Sequence, residues 1–165
     1  MIVVADASPL IFLAKLRRLE LVSGLLGDDI RIPLVVSREV IAPGIDPIER
    51  ETLESFLSRC TIEPVPRPRA FASAMSAADN AALTLAIRTK SDLLLCDERV
   101  TRAMAQREGI RSLGTLGILL RAMRADLLTQ EETRHSVDVL VREHGFRIGI
   151  ELYQAVLDQI SLRGG

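Results

Sequence analysis

The chain has 165 residues, enough for one domain with a sizeable core, and 48% of them are hydrophobic, too many for a disordered polypeptide. Aromatic residues make up only 3%, so the core must be built from Leu, Ile, Val and Ala. Twenty-one Lys and Arg face 22 Asp and Glu, so bulk charge carries no signal for a polyanionic partner. All the basic residues except Lys15 and Lys90 are Arg, the cation suited to bidentate phosphate contacts.

The first apolar run, Ile2-Val3-Val4-Ala5, reads as a buried strand. It ends in Asp6, with Ser8 placed as an N-cap and Pro9 in the first turn of a helix that carries Leu10, Ile11, Leu13 and Leu16. Asp6 therefore stands at the carboxyl end of a strand, where open α/β sheets bind ligands; a plain capping role also fits. Leu19 to Leu26 continues as a second helical segment that stops at Gly27. Ile30 to Pro33 is a short strand, so strand, helical crossover and strand form a parallel unit.

Leu34 to Ile41 reads as a short helix with Val35, Val36 and Val40 inward, and Glu39 beside that buried side. A carboxylate there is costly unless it is paired or holds a metal, and harmless if it is merely exposed. Ala42 to Pro47 is punctuation. Ile48 to Arg59 is an amphipathic helix with Leu53, Phe56 and Leu57 inward. Thr61 to Pro66 is an edge strand at best, given its prolines. Arg67, Arg69 and Phe71 beyond it suit a solvated loop or the rim of a site. Ser76 opens the next helix, with Asp79 as capping-box partner, and small Ala78, Ala81 and Ala82 permit close packing.

Leu93-Leu94-Leu95-Cys96 repeats the opening pattern: an apolar strand ends in acid, Asp97, before a helix that runs through Gln106. Gly109 to Gly114 holds a further short strand, Thr115 caps a helix over Leu116 to Met123, and helices follow over Thr129 to Glu143 and Gly149 to Ile160. Leu140, Val141, Leu152, Val156 and Ile160 recur at helical spacing, which suits a cover over the sheet or a face for a homodimer. Cys60 and Cys96 form neither a disulfide framework nor a zinc motif, and His135 and His144 read as surface residues. No signal peptide and no membrane span is expected, hence a cytoplasmic protein. The expected architecture is one α/β domain over 1-165, with a mainly parallel sheet in about 1-125 and a helical C-terminal extension in about 126-165.

Two strands end in acids, Asp6 and Asp97, and two helices carry acids, Glu39 and Asp79. If the strands are parallel neighbours, Asp6 and Asp97 emerge at one edge, and a crossover returns Asp79 to it. Clustered carboxylates repel one another, and a hard divalent cation with oxygen ligands relieves that cost. Such a cluster can activate water and stabilise charge on a phosphoryl group.

The chain resembles a PIN domain, the metal-dependent ribonuclease fold of many prokaryotic toxins, and within it the DUF3368 subfamily. The resemblance rests on Val4-Ala5-Asp6-Ala7-Ser8-Pro9, Ser37-Arg38-Glu39, Asp79 with Ala82-Leu83, Cys96-Asp97-Glu98-Arg99, Gly114-Thr115-Leu116-Gly117 and Gly145-Phe146-Arg147. It implies a PIN-like fold, with a parallel sheet sandwiched by helices, and an acidic site of Asp6, Glu39, Asp79 and Asp97 supported by Ser8. It further implies Mg²⁺ or Mn²⁺, an RNA substrate and a small antitoxin partner of a VapC-like toxin. Related chains often have a second acid where this one has Ala81, which bears on metal affinity and on a second metal position. Two other readings are weighed: a catalytically degenerate protein-binding module, and a phosphatase with an aspartyl nucleophile. The latter usually has a second acid where Ser8 stands.

Overall fold

A computed structural model describes residues 1–162. Five parallel strands form the sheet: β1 (Val3–Ala5), β2 (Ile30–Pro33), β3 (Thr61–Glu63), β4 (Leu93–Leu95) and β5 (Ser112–Leu113), in the order β3-β2-β1-β4-β5. Val3, Val4 and Ala5 are wholly buried, as a central parallel strand with both faces covered must be. The chain crosses from β1 to β2 to β3, returns past β1 to β4, and ends on β5. Its direction reverses between β1 and β4, which is the topological switch point of this sheet. β3 is the outer strand expected from its prolines, and Thr61 and Ile62 are exposed.

The helices between strands are α1 (Ala7–Lys15), α2 (Glu20–Leu26), α3 (Leu34–Val40), α4 (Pro47–Ser58), α5 (Ala77–Arg88) and α6 (Arg99–Arg107). Gly27, at φ 85°, ends α2 as its sequence predicts. Leu53, Phe56 and Leu57 of α4 are buried as expected. On α3 the inward residues are Val36, Ser37 and Val40; Val35, expected inward, is 40% exposed because a seven-residue helix buries only one narrow stripe. Leu83, Leu85 and Ala86 of α5 pack with Val4, Leu94 and Cys96 of the sheet into one apolar cluster. The Arg67–Phe71 segment is tied down: Arg69 pairs with Glu108 at 2.8 Å, its backbone N–H donates to Thr84 Oγ1, and that of Phe71 donates to Asn80 Oδ1.

The chain divides into two compact units, Met1–Thr115 and the residues from Leu116 onward. The second holds most of α7 (Thr115–Arg124), with α8 (Gln130–Arg142) and α9 (Ile150–Leu162). Thr129 and Glu132 form a capping box at the start of α8. Leu140, Val156 and Ile160 are buried, whereas Leu152 is 54% exposed, as are its neighbours Ile150 and Leu162 to a greater degree. Among the described residues no helix is long and apolar enough to cross a membrane.

Candidate functional site

Asp6 leaves the sheet at the switch point. Its backbone N–H donates to Leu95 O at 2.9 Å, so the pairing of β1 with β4 carries on through this residue. Its Oδ1 accepts from Ala7 N at 2.8 Å, which makes Asp6 itself the N-cap of α1. The expectation of Ser8 as cap is thereby corrected: the helix starts two residues sooner because the aspartate is free to cap it. Ser8 lies in the first turn of α1, and its hydroxyl makes no hydrogen bond among the described residues.

Asp6 is 3% exposed, and its carboxyl pKa is pushed up to about 8. Burial is the largest cause, followed by a hydrogen bond and charge from Asp79; the Ala7 N–H opposes the rise, and the charge of Glu39 adds to it. Asp79 reaches this position from the first turn of α5. There the predicted capping box is present, with Ser76 N donating to Asp79 Oδ2 at 2.8 Å and Asp79 N to Ser76 Oγ at 3.1 Å. Glu39, exposed on α3, has its pKa raised by partial desolvation and by Asp79. Glu39 also lines an open cavity of about 480 Å³ with Ile11, Lys15, Val40, Asp46 and Glu49.

Asp97 lies two residues beyond β4, next to the strand that Asp6 ends. Both its carboxylate oxygens face Thr115: Oδ1 accepts from Thr115 N at 2.7 Å and Oδ2 from Thr115 Oγ1 at 2.8 Å. Burial raises its pKa, while the two Thr115 hydrogen bonds and the charge of Arg102 oppose the rise. Thr115 was expected to cap α7. It is instead the first residue of that helix, and its hydroxyl is taken by Asp97. Cys96 lies beside Asp6 at the strand ends, and its thiol is pushed up to about 12 by burial first and by Asp6 next, so it stays protonated and inert.

The structure thus brings Asp6, Asp79 and Glu39 into mutual electrostatic reach and sets Asp97 at the adjacent strand end, turned to Thr115. Sequence reasoning did not assign Gly114, Thr115 or Arg102 to this edge. The signal was there in the register: Leu95 pairs with Leu113, so the residues two places beyond each, Asp97 and Thr115, meet. A Cβ on Gly114 would lie 2.8 Å from Asp97 Oδ1, so only glycine fits there.

The donors are all carboxylate oxygens, which suit Mg²⁺ or Mn²⁺ rather than softer metals. Asp6 is the one whose burial a cation would best offset. Among the described residues no three His, Cys, Asp or Glu side chains are arranged to hold a metal by themselves.

The family model DUF3368, described as a PIN domain, matches residues 2–162. No curated protein matches the chain in sequence. Among solved structures the fold is similar to a PilT N-terminus domain protein from the hyperthermophilic archaeon Sulfolobus solfataricus P2. The TM-score is 0.57 at 16% identity, over 74% of this chain and 94% of that one.

Proposed function

The chain belongs to the PIN-domain family DUF3368, whose members are typically nucleases, and we propose that it is a metal-dependent endoribonuclease, the toxin of a type II toxin–antitoxin pair. The observation that carries the reading is the gathering of Asp6, Asp79 and Glu39 at the carboxyl end of the central strand. Asp6 and Asp79 cap their helices, but two further acids beside the buried Asp6 carboxyl cost stability unless a cation joins them. In this reading Asp6 and Asp97 hold Mg²⁺ or Mn²⁺ from two adjacent strand ends, and Glu39 and Asp79 complete the site or orient the attacking water. Each oxygen of Asp97 keeps a lone pair after accepting from Thr115, so the anchor fixes the carboxylate without consuming it. When bound, the cation supplies Lewis acidity and neutralises charge on the phosphodiester. The protein's own part is to exclude water from β1, keep Asp6 immobile, and aim the acids at one point.

An unregulated ribonuclease harms its own cell. The reading therefore includes a cytoplasmic location and a small antitoxin that sets an Arg or Lys among the acids. Exposed Ile150, Leu152 and Leu162 on α9 are the surface offered to a second copy in a homodimer. The whole chain acts as one PIN-like domain with a helical extension. The test is a ribonuclease assay of metal-stripped protein with Mg²⁺ or Mn²⁺ restored, beside Asp6→Asn. Cleavage that needs the metal and vanishes in the variant supports the reading; cleavage indifferent to both sinks it.

A further inference from the structure

Arg102 stands in the first turn of α6, with its backbone N–H donating to Glu98 O at 3.0 Å. Its Nη1 lies 3.6 Å, and Asp97 Oδ1 2.8 Å, from the point that a Cβ on Gly114 would occupy. The guanidinium is therefore beside the site, on the Asp97 side. It is exposed, and among the described residues it makes no hydrogen bond or ion pair. Arg31, Arg50, Arg69, Arg88 and Arg142 differ, each being paired with a carboxylate. Asp97 does not clasp it, because both of its oxygens are turned to Thr115.

An arginine beside an acidic site would ordinarily collapse onto a carboxylate, and the acid that Arg102 is set beside is Asp97. Here the nearest is already held, so the five N–H donors stay open to water. The same carboxylates repel an incoming polyanion, and a cation at this flank is where a phosphate can approach. We propose that Arg102 binds a non-bridging phosphate oxygen of the RNA strand on the Asp97 side of the site. Arg99, three residues earlier and also exposed without a partner, adds a second cation on the same helix face. This inference rests on the ribonuclease reading and names the group that receives the substrate's backbone.

The experiment measures binding of a labelled single-stranded RNA by fluorescence anisotropy in chelator, across a salt series, for wild type, Arg102→Ala and Arg102→Lys. Steady-state cleavage with Mg²⁺ is measured alongside. Loss of one phosphate contact lowers the slope of log affinity against log salt by about 0.7 and weakens binding roughly tenfold. Arg102→Lys retains the slope but binds more weakly, since a point charge replaces a fork. In the cleavage assay Arg102→Ala raises KM more than it lowers kcat. If Arg102 only balances Asp97, the alanine variant melts at a lower temperature with salt slope and KM unchanged, and the inference is overturned. Failure of wild type to bind RNA overturns it too. A wild type that binds RNA with the Arg102-dependent slope yet cleaves nothing in Mg²⁺ or Mn²⁺ keeps the inference and removes the ribonuclease reading.

Discussion

At the scale of single residues, Asp6 sets the behaviour of the metal-free protein. Its carboxyl is protonated up to about pH 8 in the folded chain and only up to about 3.8 in a model peptide. Between those values the folded state binds more protons than the unfolded one, so stability falls as pH rises through that window. The cost is at most about 1.4 kcal/mol per pH unit, or roughly 2–4 °C of melting temperature for each kcal/mol in a chain of this size. Asp6→Asn removes the proton from the balance. Thermal melts in chelator from pH 4 to 8 should show a flatter profile for the variant and a higher melting temperature at neutral pH. Equal slopes would mean that Asp6 ionises freely. Gly114 bears on the neighbouring acid. Gly114→Ala drives a methyl against Asp97 Oδ1, which Thr115 holds in place, so this side chain cannot step aside cheaply. Overpacking of this kind costs about 1–3 kcal/mol, to be read from a urea midpoint, and on the ribonuclease reading it should lower activity as well.

Among the elements, the start of α5 does two jobs with one side chain. Ser76→Ala deletes half of the capping box and should cost about 1 kcal/mol in chemical denaturation. It also leaves Asp79 less firmly placed against Asp6, so activity should fall further than stability alone explains; unchanged activity would separate the cap from the site. This box was legible in the sequence, because Ser76 and Asp79 stand at the spacing that caps require. The edge shared by Asp6 and Asp97 was legible too, from two apolar runs that end in acid with helices between them. The start of α1 was misread by two residues, since Ser8 and Asp6 are both good caps and only the fold decides which one faces the helix. The aim of Asp97 was not legible: it depends on Thr115, eighteen residues away, through the pairing of β4 with β5.

Across the whole molecule, the sheet and its acids are one cooperative object. Leu94 is wholly buried in β4, one of the two strands that end at the site's edge, and packs with Val4 and α5. Leu94→Ala should destabilise by about 2–5 kcal/mol. Backbone amide exchange should then rise in β1 and β4 together, whereas faster exchange in β4 alone would show that the strands open independently. The parallel order of the strands followed from the helical crossovers, but the reversal between β1 and β4 did not, because no local signal says on which side of β1 the returning chain will settle.

That reversal also sets a timetable. Ile2 and Asp92, the partners just before β1 and β4, are 90 residues apart, and their hydrogen bond closes the pairing of the two central strands. During synthesis β1 is made well before β4 and waits, bordered at most by β2, until β4 has been made. Asp6 cannot be locked to Leu95 before β4 exists, nor Asp97 to Thr115 before β5 does. A nascent protein of this topology therefore carries its acids scattered along an unfinished ribbon, and whatever they do together begins only after β5 has been made.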